Sequence, residues 1–274
     1  MWQAVFIMFV AMSMIPAGDV AGKVLTANGT APGFVAWSRF AFGALMIAPF
    51  VPRRAWRLLG DWRIWLRACC LGVGVFCIQT ALKTEPLADV FAAFFIGPIL
   101  SYALSAALLR EPTGWRRNTL MLIGFIGVLL VVRPGFGGSA NLLWAVLAGS
   151  CYGAFLTASR WLAGLGTALE LNLSQLVISA LILAPIGLAN LPDVTLQVGA
   201  LTLASAAFSM MGNLLLMIAY GRAAATQLAP LVYFQLIAAT GLGWMVFADL
   251  PDGLTWLGLA LVIGAGLTSA ALRR

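Results

Sequence analysis

The sequence contains no histidine, only 9% charged residues and only four cysteines. Without histidine, imidazole proton relays and imidazole-ligated haem or zinc sites are excluded. The cysteines lie in apolar stretches with neither a paired-metal spacing nor an extracellular disulfide framework, and they are expected to pack as small apolar side chains: Cys69, Cys70, Cys77 and Cys151. The sequence therefore predicts no metal site and no cofactor.

The scarcity of charge also excludes a water-soluble domain, in which about 25% of residues are charged. Here 62% of residues are hydrophobic and the mean hydropathy is +0.99. Because a helix needs about 20 apolar residues to cross a bilayer, ten spans fit the chain, at residues 2–22, 32–51, 64–82, 86–108, 117–133, 141–160, 170–189, 196–220, 225–247 and 254–271. The predicted fold is an all-α integral membrane protein with ten transmembrane helices.

The positive charges indicate how these spans cross the membrane. The chain carries a formal charge of +7, but its Lys and Arg residues are spread over loops and helix ends, which argues against a nucleic-acid partner. Most of the 16 cations fall on one side when the N-terminus is cytoplasmic, as in Arg53, Arg54, Arg57, Arg63, Arg67, Arg110, Arg116, Arg117, Arg160, Arg222, Arg273 and Arg274. Both termini are therefore expected in the cytoplasm. The uncharged start of the chain lacks a signal-peptide leader, so the first helix is expected to be retained.

An internal repeat divides the chain. Ser38 to Phe50 reads SRFAFGALMIAPF and Ser174 to Ile186 reads SQLVISALILAPI, a shift of 136 (174 − 38). Two units follow, residues 1–136 and 137–274, each with five predicted spans. An odd number of spans forces the second unit to enter the membrane from the opposite face, which makes the units inverted repeats around a central cavity. That arrangement is typical of secondary transporters.

Several short sequences strengthen this interpretation: Arg39-Phe40 followed by Gly43-Ala44, and the acidic turns Arg110-Glu111-Pro112 and Asp249-Leu250-Pro251. With ten spans in two halves, the chain resembles the drug/metabolite transporter superfamily and is similar to its EamA-type exporters over essentially its whole length. More narrowly, it looks like the YddG aromatic amino-acid exporters. The resemblance implies a helical basket around a cavity, export of amino acids or related metabolites, and a bacterial inner-membrane location.

Candidate substrate contacts come from stripes of polar and aromatic residues at helical spacing. The eighth span carries Met210, Asn213, Met217 and Tyr220; the fourth carries Phe95 and Tyr102; the ninth carries Tyr233 and Trp244; Gln79 and Tyr152 lie in the third and sixth. Pro98 and Pro230 are predicted to kink the fourth and ninth spans. Packing of Met and an interhelical hydrogen bond from Asn213 is the alternative interpretation of the stripe in the eighth span.

Four charged residues are candidates for an entrance or gate: Asp19, Lys23, Arg39 and Lys83. Arg39 could meet a substrate carboxylate, but pairing with Asp19 is the favoured interpretation, and Asp19 could also pair with Lys23. With the first span ending near residue 22, no carboxylate is expected near mid-membrane. A cationic-drug antiporter is therefore a weaker prediction than a carrier of a zwitterion or a neutral solute.

The leading functional prediction is a secondary transporter, acting as a monomer, that exports aromatic or hydrophobic amino acids or related small metabolites by alternating access. A multidrug or cation exporter of the same superfamily is the alternative within this class. An intramembrane enzyme would need a polar catalytic cluster, and a passive channel would need rings of charge or a carbonyl filter. The sequence shows neither pattern, so a non-enzymatic carrier of a small-molecule substrate is predicted.

Overall fold

The computed structural model describes residues 2–110, 114–132, 139–162, 164–222 and 234–271, and within these ranges the chain forms helices joined by short turns. The helices are α1 (Trp2–Ala27), α2 (Pro32–Ile47), α3 (Trp62–Leu82), α4 (Leu87–Phe94), α5 (Ile96–Leu108), α6 (Trp115–Val132), α7 (Leu142–Trp161), α8 (Ala168–Leu188), α9 (Leu196–Arg222), α10 (Phe234–Phe247) and α11 (Gly253–Ala271). Two 3₁₀ segments, Ala48–Phe50 and Arg53–Gly60, lead from α2 to α3.

Among the described residues, seven stretches are long and apolar enough to cross a membrane: Phe6–Ala27, Pro32–Phe50, Trp62–Leu82, Leu87–Leu108, Leu142–Trp161, Ala168–Leu188 and Leu196–Leu216. Three further apolar helices are shorter: Asn118–Val132, Phe234–Phe247 and Gly253–Ala265. A 21-residue helix rises about 31 Å at 1.5 Å per residue, close to the thickness of a bilayer core. The prediction of a helical, multi-pass membrane protein is confirmed.

The first helix is longer than its sequence pattern suggested. It continues to Ala27, five residues beyond the predicted end, because the segment that follows Asp19 is still apolar apart from Lys23. Asp19 therefore lies only two to three residues from the centre of the span Phe6–Ala27, or about 4 Å along the axis. The expectation that no carboxylate lies near mid-span is wrong.

The fourth predicted span is broken into α4 and α5 at Phe95, which adopts φ −68° and ψ 3°. The break lies three residues before Pro98, the predicted kink. Proline has no N–H to bond to the carbonyl four residues earlier, and its ring crowds that carbonyl; here the carbonyl belongs to Phe94. The break changes the direction in which the side chains of α5 point relative to those of α4.

Helix α7 packs tightly against this break because glycines line the contact. A Cβ placed on Gly97 would lie 2.6 Å from the carbonyl oxygen of Gly149, and one placed on Gly153 would lie 2.6 Å from that of Gly97. Gly74 of α3 likewise faces the backbone of α7 at Ala148. Small residues permit such close approach of helices in a membrane.

Polar residues define two helix starts at the membrane edge. Asp61 caps α3 by accepting a hydrogen bond from the backbone N–H of Arg63 at 2.9 Å. Hydrogen bonds from the Arg63 side chain lower the pKa of the Asp61 carboxyl. Thr167 and Glu170 form a capping box at the start of α8, and Arg54 Nε donates to Glu170 Oε1 at 2.6 Å. These contacts fix the ends of α3 and α8 relative to the 3₁₀ segment at 53–60.

The helices pack in pairs that recur. Helix α1 packs along α9, and α3 packs along α7; α1 also contacts α10, and α7 contacts α4 and α5. Helix α2 contacts α8 and α9, while α8 also contacts α3. Helices α6 and α11 pack on each other at the side of the bundle. The space enclosed between these pairs is the candidate site.

Candidate functional site

A cavity of about 80 Å³ lies inside the helix bundle. Eight of the described helices contribute to its lining: Ile15 and Asp19 (α1), Arg39 and Phe40 (α2), Leu71, Gly74, Val75 and Ile78 (α3), Phe94 (α4), Ala148 and Tyr152 (α7), Asn172, Gln175 and Leu176 (α8), Ser209, Met210 and Asn213 (α9), and Gln235 (α10). The cavity is smaller than the roughly 300–1,000 Å³ that is typical of small-molecule pockets. A metabolite can therefore occupy it only when neighbouring helices move apart.

Each lining helix presents one face to the cavity. The spacings are four on α1 (Ile15 and Asp19) and on α7 (Ala148 and Tyr152), and three on α8 (Asn172 and Gln175). Residues three or four apart lie above one another on a helix surface. The polar residues of α8 and the aromatic residue of α7 are therefore directed inward by helix geometry rather than by loops.

A buried ion pair forms one wall. Arg39 Nη1 donates to Asp19 Oδ1, Arg39 Nη2 donates to Ser209 Oγ, and Gln79 Nε2 donates to Asp19 Oδ1 at 2.9 Å. The side chains of Arg39 and Asp19 are only 7% and 4% exposed. Asn213 adds a hydrogen bond to the Ser209 carbonyl at 2.8 Å. The cluster joins α1, α2, α3 and α9 and satisfies the charges of both members of the pair.

The face of α8 that lines the cavity carries amides that lack partners among the described residues. Asn172 is 1% exposed and Gln175 is 2% exposed. Neither Nδ2 nor Oδ1 of Asn172 has a hydrogen-bond partner in the described part of the chain, and the same is true of Gln175 Oε1. An unsatisfied buried polar group costs about 1–3 kcal/mol. The arrangement at Asn172 and Gln175 is therefore unfavourable for stability unless something in the cavity pairs with them.

Aromatic rings line the same cavity as these amides. The ring centroids of Phe94 and Tyr152 are 5.0 Å apart, and Tyr152 stacks on Phe155 at 5.7 Å. Phe94 and Tyr152 line the cavity together with Asn172 and Gln175. Flat apolar surface and hydrogen-bonding groups thus face the same small volume, as in sites for planar aromatic molecules.

Polar contacts close the bundle beyond both ends of the cavity. Beyond Asp19, Lys23 Nζ bonds the Glu85 carbonyl at 2.8 Å and Asp249 Oδ2 at 3.1 Å. Beyond the other end, Arg67 Nε bonds Ser159 Oγ at 2.7 Å, and its guanidinium lies 4.8 Å from the centre of the Phe155 ring. We call these the Lys23 layer and the Arg67 layer.

The structure brings five of the sequence-predicted residues to the cavity: Asp19, Arg39, Tyr152, Met210 and Asn213. The favoured pairing of Arg39 with Asp19 is present. The alternative pairing of Asp19 with Lys23 is not, because Lys23 bonds Asp249 instead. Gln79 lies just behind the lining, where it holds Asp19.

Four predicted residues lie elsewhere. Phe95 is buried in the helix core at the break between α4 and α5, and Tyr102 donates to Asn118 on α6, because the break turns their stripe away from the cavity. Trp244 is 58% exposed on the outer face of α10, whose buried face carries Gln235 instead. Lys83 is exposed at the end of α3.

The remaining predicted residues cannot be placed. Pro230 and Tyr233 lie outside the described residues, as does the predicted boundary between residues 136 and 137. Met217 and Tyr220 belong to α9, but their side chains are outside the description.

Four residues that line the cavity were not among the predicted substrate contacts: Phe94, Asn172, Gln175 and Gln235. The predicted contacts came mainly from aromatic residues at helical spacing. The more informative pattern was the pair of amides, three residues apart, within the apolar stretch of α8. Polar side chains inside a span usually face the bundle interior or a cavity. That rule applied to amides would have found this wall.

Comparison with known proteins shows what the chain resembles. The sequence profile of the EamA-like transporter family matches residues 2–133, just under half of the chain. A solved crystal structure shares the fold, with a TM-score of 0.68 over 98% of this chain and 97% of that chain at 20% sequence identity.

Curated relatives extend the similarity beyond the first half of this chain. The riboflavin transporter of Rhizobium johnstonii is 27% identical over 85% of this chain and 78% of its own length. The pseudopaline exporter CntI of Pseudomonas aeruginosa is 28% identical over 69% of this chain and 68% of its own length. The S-adenosylmethionine uptake transporter of Rickettsia bellii is 25% identical over 85% of this chain and 81% of its own length. These relatives differ in cargo, and the narrower resemblance to aromatic amino-acid exporters does not follow from them.

Proposed function

We propose that this protein is a secondary transporter that moves small metabolites with an aromatic part through the central cavity by alternating access. The observation that carries the proposal is the cavity itself: a polar and aromatic space inside the bundle, between the Lys23 layer and the Arg67 layer. Such a cavity is exposed to one side at a time when one layer opens while the other stays in place.

The alternating-access step rests on our proposal of two inverted five-helix repeats, residues 1–136 and 137–274, with ten spans in all. The packing pattern supports it. When α4 and α5 are counted as one span, α1, α2 and α3 of the first half correspond to α7, α8 and α9 of the second half. Exchanging the halves therefore turns the contact of α1 with α9 into the contact of α7 with α3. The contact of α2 with α9 becomes that of α8 with α3. Pairs related in this way are expected when two copies of one unit embrace a shared cavity.

Aromatic cargo is supported by the wall formed by Phe94 and Tyr152. Export of aromatic or hydrophobic amino acids stays a prediction of this class. The curated relatives named for riboflavin and S-adenosylmethionine carry molecules that contain a fused nitrogen heterocycle, which a flat aromatic wall also suits. Both kinds of cargo need a planar pocket.

The charge arrangement supports a neutral or zwitterionic cargo over a cationic drug. Asp19 lies near mid-span, but its carboxylate already pairs with Arg39 and accepts from Gln79. A cation exporter needs a carboxylate that its cargo can occupy. If transport of a cation required a pH gradient and ceased in Asp19→Asn, the alternative of a cation antiporter would replace this interpretation.

Location and direction are further parts of the proposal. The positive charges predict cytoplasmic termini, the family resemblance implies a bacterial inner membrane and export, and we expect the protein to act as a monomer. Among the relatives, one is an exporter and one is an uptake transporter, so direction must be measured for this protein.

The test is counterflow in proteoliposomes that contain the purified protein. Labelled Phe, Trp, Thr, Met and riboflavin are offered outside vesicles preloaded with the same unlabelled compound. We expect saturable accumulation of at least one aromatic cargo, and we expect Tyr152→Ala and Asn213→Ala to weaken it without unfolding the protein.

The matched controls are Trp244→Ala and Tyr102→Phe, which change an aromatic residue away from the cavity. Both should transport at the wild-type rate. Linear, unsaturated flux would indicate a channel, and absence of counterflow for every cargo would contradict the proposed function.

A further inference from the structure

We propose that Asn172 and Gln175 form a subsite that recognises the hydrogen-bonding edge of a nitrogen heterocycle, where a ring N–H or amino donor lies next to a ring nitrogen or carbonyl acceptor. This inference rests on the proposed function, because it names the chemical class of the cargo. It starts from a part of the cavity wall where three buried polar atoms, Asn172 Nδ2, Asn172 Oδ1 and Gln175 Oε1, have no hydrogen-bond partner among the described residues.

The amides are held in place for such a role. Both belong to the same face of α8, three residues apart, and both line the cavity. Asn172 is 1% exposed, and neither its donor nor its acceptor has a partner among the described residues. The capping box of Thr167 and Glu170 fixes the start of α8, and Thr167 lies five residues before Asn172. A rigid helix therefore presents an unpaired donor and an unpaired acceptor to the same space.

The chemistry of an amide selects the partner. Asn and Gln side chains carry a donor and an acceptor side by side, and they pair with two adjacent groups of opposite kind, as they do with the edge of adenine. A carboxylate or an ammonium group satisfies only half of an amide. The charged residues of the cavity, Arg39 and Asp19, are already paired with each other, so the unused recognition groups are neutral.

The neighbouring wall supplies the remaining contact. Phe94 and Tyr152 line the same cavity, and their centroids are 5.0 Å apart with a tilt of 38°. A planar ring that presents its edge to α8 could place a face against these aromatic side chains. Alkyl chains and plain benzene rings, which have no donor next to an acceptor, would leave the amides unpaired, which is strongly unfavourable in a site built for hydrogen bonds.

The experiment compares matched ligands by their binding to the purified protein in detergent, measured by calorimetry. The pairs are 9-methyladenine with N6,N6,9-trimethyladenine, and lumichrome with its 1,3-dimethyl derivative; L-tryptophan and L-phenylalanine complete the set. In at least one pair, the compound with the free edge should bind about tenfold more tightly or better than its methylated partner and than either amino acid.

The variants separate recognition from folding. Asn172→Leu removes the unpaired amide with little change in volume, so it should abolish the preference for the free edge while raising or preserving the melting temperature. Thr202→Val is the matched control, because Thr202 is also buried on the same bundle with an unpaired Oγ1 in the described chain but does not line the cavity. It should keep the preference. Gln175→Met should weaken the preference.

Three results would overturn the inference: equal affinity for both members of each pair (including no binding of either), an Asn172→Leu variant that keeps the preference, or an Asn172→Leu variant that unfolds and so shows a structural role. Counterflow, measured separately, distinguishes this outcome from failure of the proposed function. Tight, edge-dependent binding without any transport contradicts the transporter proposal and leaves the subsite standing. Transport without a preference for the free edge contradicts the subsite and leaves the transporter proposal standing.

Discussion

Removing one member of the ion pair between Asp19 and Arg39 should destabilise the protein more than removing both. The two side chains are 4% and 7% exposed, and the pair lies about 4 Å from the centre of the first span along the axis of α1. In Asp19→Leu the guanidinium of Arg39 keeps only Ser209 as a polar partner among the contacts seen here. In Arg39→Met the carboxylate of Asp19 keeps only Gln79.

The expected magnitudes follow from burial. Breaking a buried pair by removing one partner costs about 3–5 kcal/mol, whereas replacing both partners with apolar residues of similar size is often neutral or stabilising. Each single variant should therefore lower the ratio of folded to unfolded protein by roughly a hundredfold or more, at about 1.4 kcal/mol per factor of ten. The double variant Asp19→Leu with Arg39→Met should recover most of that loss.

The assay is reversible unfolding of the purified protein in mixed detergent micelles, arranged as a double-mutant cycle. Arg63→Ala is the control, because Arg63 pairs with Asp61 at the membrane edge, where the side chains are 35% and 25% exposed. This control should change stability least. If the two single changes are mild and their effects simply add in the double variant, the pair does not act as a buried unit and the reasoning is refuted.

Two other predictions concern packing and topology. Gly153→Ala should destabilise the protein by about 1–3 kcal/mol in the same unfolding assay, because a Cβ there would lie 2.6 Å from the Gly97 carbonyl oxygen. The control is Gly241→Ala, which should not destabilise the protein because no atom lies within 4 Å of the added Cβ. Equal losses of stability in both variants would contradict the close contact. Single cysteines at Arg54 and Asp193, in a variant without the native cysteines, should react with an impermeant reagent from opposite sides of the membrane; reaction from the same side would disprove the predicted topology.

The class of protein was accessible from composition because the hydrophobic requirement of a span is simple. Apolar runs of about 20 residues define helices in a bilayer, and most predicted spans match helices within a few residues. The errors arose where polar residues sit inside a span. Lys23 lies one residue beyond the predicted end of the first span, yet it belongs to α1. This is possible because Asp249 and the Glu85 carbonyl satisfy its ammonium group. Such partners come from distant parts of the chain and leave no local signal.

The candidate site was predicted less completely for a related reason. The stripe through Phe95 and Tyr102 assumed one continuous helix, but the break before Pro98 reorients everything that follows. A proline predicts that a kink occurs and does not give its angle. Trp244 was chosen for its ring, whereas in a membrane large apolar side chains also face lipid. Amides such as Asn172 are the better indicators, since lipid cannot satisfy them.

The central claim is that one cavity is exposed to each side of the membrane in turn, and a cysteine placed in its wall tests this most directly. Asn213→Cys, in a variant without the native cysteines, would be treated in oriented vesicles with an impermeant thiol reagent from one side or from the other. We predict that the cysteine reacts from both sides, that a transported cargo slows the reaction, and that trapping one conformation abolishes access from one side only. A cysteine that reacts from neither side, or from a single side under every condition, would contradict the account.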